Sequence, residues 1–225
     1  MKKLNSFFNY KVYKVIALIL SIIVSLFIIL VIIRIFHYSN IRKIENQIAS
    51  IDSIKISLDD VMGYNLPINS RESANNTLKG ADINDNNIRD DIEIAIWNEY
   101  PNSAKIKAGL LQYALSLQME FNQSDLNREI VSKIISKQSK ANTCLSNIIA
   151  PRENSESSRS FEDLEKIDYY LNFIKERQFN TEERQNANDD FYSHLDDGRI
   201  KDISVIEIYN PNEDSCDIDI SLLEN

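Results

Sequence analysis

The stretch that decides the fold is Val15–Ile33, VIALILSIIVSLFIILVII, nineteen residues without a charge. Sixteen of them are Val, Ile, Leu or Phe. At ~1.5 Å per residue, a helix of this length spans roughly 28 Å, which matches the hydrocarbon thickness of a bilayer. The run is longer than the apolar region of a cleaved signal peptide, and no Ala-x-Ala-like cleavage site follows it. We predict an uncleaved signal anchor, with a transmembrane segment at 15–36.

Charge is distributed unevenly about this span. Lys2, Lys3, Lys11 and Lys14 precede it, and no Asp or Glu occurs before Glu45. The chain has 25 Lys+Arg against 34 Asp+Glu, so the part beyond the span is acidic and poorly suited to bind nucleic acid. We therefore expect an inner (cell) membrane protein with a cytoplasmic N-terminus and a periplasmic or extracellular C-terminal domain.

Three small residues interrupt the apolar run at intervals of four: Ala17, Ser21 and Ser25. They share one face of a helix, and a small-xxx-small row lets a second helix approach closely. We predict a helix-packing face here, through which the chain self-associates or meets another membrane protein. The alternative is that the spacing has no consequence.

The composition beyond the span favours a mainly α fold. The chain has only four Gly and four Pro, and its apolar residues recur at helical intervals. The juxtamembrane helix is open to two interpretations, a short coiled-coil stalk or one helix of the folded domain. The predicted regions are a cytoplasmic basic tail at 1–14, the anchor at 15–36, a juxtamembrane helix or stalk at 37–63, a linker loop at 64–86 and a helical ectodomain at 87–225.

About five helices are predicted in the ectodomain from capping residues, prolines and apolar spacing. The first stops before Pro101, and the third before Pro151, because proline disfavours a helical residue before it. The predicted helix starts lie at Ile88, Ser103, Ser124–Asp125, Ser160 and Thr181, and the fifth helix ends near Leu195.

The C-terminal sequence changes its period. Residues 203–209 are rich in β-branched side chains, and Cys216, Ile218, Ile220 and Leu222 alternate with polar residues. We predict a β-hairpin at 203–222, packed on the helices because an isolated two-stranded ribbon is marginally stable.

Both cysteines, Cys144 and Cys216, lie beyond the span. In an oxidising compartment a disulfide between them would close a loop of about seventy residues and stabilise the fold by roughly 4 kcal/mol. The alternative is two unpaired, partly buried thiols.

Motifs that carry chemistry are few. His194 and Asp190 are four residues apart on a predicted helix, a spacing that could serve a metal or a base and its orienting carboxylate but is also typical of a solvated helix end. The acidic run at 82–86 is not interpreted as an EF-hand, because that calcium loop requires a glycine at its turn and a glutamate at its twelfth position. We predict no catalytic, cofactor-binding or metal site, and no cofactor.

The expected function is that of a non-enzymatic protein-interaction or scaffold module in the cell envelope, whose partner is another envelope protein. A ligand-sensing or carrier ectodomain is the alternative, and it requires an apolar pocket between helices with a few convergent polar groups. A membrane-tethered hydrolase around His194 is a third.

Overall fold

The computed structural model describes residues 2–67, 76–152, 154, 157–195 and 215–224. Within these ranges the chain forms seven α-helices and one 3-10 turn, and it forms no strand, so the prediction of a mainly helical protein is confirmed. The helices are α1 (Lys2–Ser53), α2 (Leu58–Met62), α3 (Asp90–Glu99), α4 (Ala104–Asn122), α5 (Arg128–Ile149), α6 (Phe161–Gln178) and α7 (Glu182–Ser193), and the turn is Ile220–Leu222.

The chain divides into two compact units, and the first comprises α1 as far as Gln47. From Val12 to Ile41 the large apolar side chains of this unit are exposed, for example Leu18 and Leu30 at 64% each. Apolar surface of this extent is unfavourable in water and favourable in lipid. Among the described residues, α1 is the one helix long and apolar enough to span a membrane.

The predicted juxtamembrane helix is interrupted. α1 ends at Ser53, and a new helix, α2, starts after Ser57. Ser57 Oγ accepts a hydrogen bond from Asp60 N at 3.2 Å, and the Asp60 carboxylate accepts one from Ser57 N at 2.7 Å. This reciprocal capping box fixes a helix start at a place where the apolar spacing alone suggests continuity. α2 ends at Gly63, as predicted, with φ of +72°.

The second unit, from Ile48 onward, is built around α4. Every residue from Lys107 to Phe121 is buried, and α2, α3, α5, α6 and α7 all pack against this helix. A helix whose side chains are apolar or small on most sides is stable only in the interior. α5 packs tightly against α4 at Gly109, where a Cβ would lie 2.9 Å from Leu145 Cδ1.

Most predicted helix starts are confirmed. The side chains of Ser103, Ser160 and Thr181 each accept a hydrogen bond from a backbone N–H in the first turn of α4, α6 and α7. The start of α5 was predicted at Ser124–Asp125, and this is wrong. Asn127 is the N-cap, with its Oδ1 accepting from Ile130 N at 2.9 Å. Asparagine caps as well as serine or aspartate, so capping preference does not separate the two sites.

The C-terminal β-hairpin is not supported. Its first strand, 203–209, lies outside the described residues, and its second, Cys216–Leu222, forms bends and a 3-10 turn instead. The buried side chain of Gln112 explains the difference. Gln112 Nε2 donates to Ser215 O at 2.9 Å, and its Oε1 accepts from Asp217 N at 3.0 Å. A side chain of α4 thus satisfies backbone groups that a strand partner would otherwise pair.

Two buried arginines hold the segment before α3 in place. Arg184 of α7 donates to the carbonyls of Leu78 at 3.0 Å and Thr77 at 3.1 Å. Arg89 donates to the carbonyl of Arg177, at the end of α6, at 2.6 Å. Both arginine side chains are at most 1% exposed. This polar segment is therefore anchored by hydrogen bonds, although it has few apolar residues to bury.

Candidate functional site

A cleft of about 540 Å³ lies among the four longest helices of the second unit. One wall of the cleft is a face of α4. Tyr113, Leu117 and Glu120 share this face because they follow the i, i+4, i+7 pattern. The lining residues are Tyr113, Leu117 and Glu120 of α4, Ile135, Gln138, Ser139 and Asn142 of α5, Lys175 of α6, Phe179 after it, and Asn188 and Tyr192 of α7.

Glu120 is the buried polar centre of the cleft. Its side chain is 5% exposed, and amide groups from two other helices reach its two oxygens. Gln138 Nε2 of α5 donates to Oε1 at 2.7 Å, and Asn188 Nδ2 of α7 donates to Oε2 at 2.7 Å. Tyr192 OH donates to Gln138 Oε1 at 3.3 Å, which extends the network to the exposed rim. Three helices therefore fix the position of one carboxyl group.

The electrostatic environment of Glu120 is unusual. Burial raises the pKa of Glu120 to about 7, and the hydrogen bonds from Asn188 and Gln138 offset only part of that rise. Within the described ranges no lysine or arginine nitrogen lies at ion-pair distance from it. A cation brought to this carboxyl would favour its ionised form. The site is thus suited to bind a positively charged group or to exchange a proton near neutral pH.

Part of the cleft wall is apolar and aromatic, and Ser139, Asn142 and Lys175 add polar groups to it. Leu117 and Ile135 supply aliphatic surface, and the rings of Phe179 and Tyr192 flank the polar centre. The ring of Tyr192 is held edge-on against Phe191, with centroids 5.1 Å apart, and Phe191 is fully buried. A pocket with apolar walls and a few convergent polar groups is the usual form of a small-molecule site.

The predicted helix-packing face consists of Ala17, Ser21 and Ser25. All three lie on the uninterrupted helix α1 and are exposed. Their role as a packing face stays a prediction, because it concerns a second helix.

The two cysteines for which a disulfide was one of two predicted states lie together. Cys144 of α5 and Cys216 form a disulfide, with their Cα atoms 4.9 Å apart. Cys144 is fully buried, and the bond attaches the C-terminal segment to α5.

His194 lies at the end of α7 and away from the cleft lining. Its Nε2 is 3.8 Å from Asp190 Oδ2, with the two side chains 35% and 71% exposed. Neither residue lines the cleft. The absence of an enzymatic role stays a prediction.

No sequence motif predicts the cleft. Its one local signal is Glu120, a lone charge near the end of the apolar spacing of α4. The partners of Glu120, Gln138 and Asn188, come from elsewhere in the chain and show no motif. Comparison with known proteins assigns no family, since no family model, no curated protein and no solved structure matches this chain.

Proposed function

We propose that this protein is a membrane-anchored ligand-binding module, a sensor or carrier, whose cleft binds a small molecule bearing an amine. The observation that carries the proposal is the buried Glu120 carboxyl, which has hydrogen-bond donors but no cationic partner among the described residues. A bound ammonium group would supply the positive charge that pairs with the Glu120 carboxylate. The aromatic rings at the rim would cover the apolar part of the ligand.

The proposed anchor is α1, oriented with its basic flank in the cytoplasm and the second unit in the periplasm or outside the cell. The support is the charge contrast across the span, with Lys2, Lys3, Lys11 and Lys14 on one side and an acidic domain on the other. A cleft on that side would meet solutes of the envelope or the surroundings.

The test is binding of benzylamine to the full-length chain in detergent, with benzyl alcohol as its uncharged counterpart. We expect calorimetry to show binding of the amine, stronger at pH 8 than at pH 6, because the ionised form of Glu120 is the one that pairs with the ammonium. Glu120→Gln should abolish this binding. Glu165→Gln, the same charge change on the exposed face of α6, should leave it intact.

Equal binding of benzyl alcohol, or amine binding that survives Glu120→Gln, would contradict the proposal. Larger amines extend the same test, because the cleft has room for more than one ring.

A protein-interaction or scaffold role is the second candidate, and exposed apolar residues at the start of α6 favour it. Phe161 is 76% exposed and Leu164 is 50% exposed, and they are neighbours on the helix surface. Such adjacent apolar side chains suit contact with another envelope protein. Crosslinking in intact cells tests this role, and a reproducibly solitary chain would count against it and against self-association through Ala17, Ser21 and Ser25.

A further inference from the structure

The segment Asp82–Glu93, DINDNNIRDDIE, has the ligand spacing of a twelve-residue calcium loop. In such loops side chains at positions 1, 3, 5, 9 and 12 bind the ion, directly or through water, and position 7 adds a backbone carbonyl. Counted from Asp82, the side-chain positions hold Asp82, Asn84, Asn86, Asp90 and Glu93. The twelfth residue is therefore the required glutamate, Glu93, so the prediction that the run beginning at Asp82 lacks it is wrong.

The backbone also has the required turn. Position 6 of the loop normally needs glycine, because the chain there turns sharply. Here it is Asn87, with φ of +66°, and asparagine is the residue besides glycine that most readily adopts this left-handed conformation. The Asp82 carboxylate accepts hydrogen bonds from Asn86 N at 3.1 Å and Asn87 N at 2.9 Å, which closes the turn. α3 then begins at Asp90, the ninth position.

The side chains converge on one buried place. Glu93 is 1% exposed, and its carboxylate accepts from Asn86 Nδ2 at 2.7 Å and Asn84 Nδ2 at 3.1 Å. Asp90 is fully buried, and its Oδ1 accepts from Ile83 N at 2.9 Å. The loop thus gathers three carboxylates and two amides.

Two oxygen atoms in this cluster have no hydrogen-bond partner. They are Oδ2 of the fully buried Asp90 and Oδ1 of Asn84, and both are themselves buried. A buried acceptor without a donor is costly, and in native proteins it usually indicates a missing water or ion. Burial raises the pKa of both Asp82 and Glu93, and the negative charge of Asp90 adds to the rise in each. The unpartnered oxygen of Asp90 therefore belongs to a site with excess negative charge.

The ligand types select the ion. Among the described residues no group of three or more His, Cys, Asp or Glu is placed to hold a metal ion by itself. A site in this loop would therefore depend on Asn amide and backbone carbonyl oxygens beside the carboxylates. The amides of Asn84 and Asn86 present their nitrogens to Glu93, and Asn86 Oδ1 accepts from Ile88 N at 2.9 Å. Binding of an ion would require both amides to turn over, so that their oxygens face Glu93. A set made only of oxygens suits calcium, whereas zinc and copper prefer nitrogen or sulfur.

We propose that Asp82–Glu93 is a calcium-binding loop, with Asp82, Asn84, Asn86, Asp90, Glu93 and the carbonyl of Ile88 as its ligands. The loop also contacts the junction after α2, where Asn86 Nδ2 donates to Asp60 Oδ1 at 3.2 Å and Asn84 Nδ2 donates to Asn65 O at 3.2 Å. Calcium binding would therefore stiffen the attachment of α2 to α3. The site is separate from the Glu120 cleft and does not depend on its function.

The experiment uses the full-length chain in detergent, stripped of metal with a chelator and titrated with calcium chloride. Calorimetry and the thermal unfolding midpoint should both show saturable binding, with the midpoint rising as calcium is added. Terbium supplies a second readout, because Trp97, the single tryptophan, lies one turn after Glu93 in α3 and can sensitise its luminescence.

Glu93→Gln should weaken calcium binding at least about tenfold, because it removes the charged ligand at the closing position. The matched control is Glu99→Gln, the same change at an exposed site on the same helix, which should bind like the wild type. Asn84→Ala is a second ligand variant, should Glu93→Gln lose its helical circular dichroism.

Absence of any heat or midpoint shift in the wild type up to about 10 mM calcium, beyond the range of weak extracellular sites, would overturn the proposal. Binding that neither Glu93→Gln nor Asn84→Ala weakens would overturn it as well, because the ion would then lie elsewhere.

Discussion

Two buried glutamates, Glu93 of α3 and Glu120 of α4, take up protons when the chain folds. Burial raises the pKa of each from the ordinary 4.5 to about 7. Between these two values the folded state binds more protons than the unfolded state. Stability from this source is fully present below pH 4.5 and is lost as the pH rises through 7. The behaviour is opposite to that of a salt-bridged carboxylate.

We predict that Glu120→Gln removes part of this pH dependence. In the wild type without calcium, the free energy of unfolding should fall from pH 4.5 to above pH 7, with each glutamate contributing up to about 3 kcal/mol. The amide resembles the neutral carboxyl, so the variant should be more stable than the wild type at pH 8 and similar at pH 4.5. Urea unfolding in detergent at several pH values measures the difference. An unchanged pH slope would contradict the prediction, and Glu165→Gln is the control.

At the scale of elements, Gly63 determines how α2 ends. Its φ of +72° is a conformation that a side chain disfavours, and a Cβ there would lie 2.4 Å from Trp97 Cζ2. The indole ring is itself held by Lys107, whose Nζ lies 3.5 Å from the ring centroid. The end of α2, α3 and α4 thus meet at one tryptophan.

Gly63→Ala should therefore destabilise the second unit by about 2–4 kcal/mol, part from the backbone conformation and part from displacement of the indole ring. Urea unfolding followed by circular dichroism gives the free energy. In a Trp97→Ala background the same substitution should cost only the backbone part. If Gly63→Ala lowers the free energy of unfolding equally in both backgrounds, displacement of the indole ring contributes nothing, which would contradict the prediction.

The elements that the sequence predicts well are those specified locally. Ser103, Ser160 and Thr181 cap helices through bonds to residues three positions away, so the signal lies within one turn. The wrong prediction of a strand at Cys216–Leu222 has a non-local cause. Gln112, far away in the sequence, bonds the backbone of this segment, and alternating polarity cannot reveal it.

The candidate site was predictable only in part, for the same reason. A ligand-binding role predicts that a pocket exists, but it does not predict which residues line it. The side chains that donate to Glu120 lie 18 and 68 residues away from it in the sequence. The calcium loop is different, because its spacing is contiguous and can be counted in the sequence. What the sequence could not show is the conformation of Asn87, which replaces the expected glycine.

For the whole molecule, the charge contrast across α1 leads to a prediction of topology. Ser6→Cys before the span and Ser158→Cys in an exposed loop beyond it introduce single reactive thiols, since both native cysteines are in the disulfide. In right-side-out vesicles a membrane-impermeant maleimide should label the second variant and spare the first until the membrane is opened. Labelling in the reverse order would contradict the proposed orientation.

The disulfide also determines how the molecule carries mechanical load. Cys144 and Cys216 are 72 positions apart, and α6 and α7 lie between them. Tension applied between α1 and the residues after Cys216 passes through the covalent bond and bypasses both helices. The segment between the two cysteines would measure about 250 Å when fully extended. It can be extended by tension only after the disulfide is reduced. The α6 and α7 walls of the cleft are therefore protected from unfolding when the chain is pulled between α1 and its C-terminal segment.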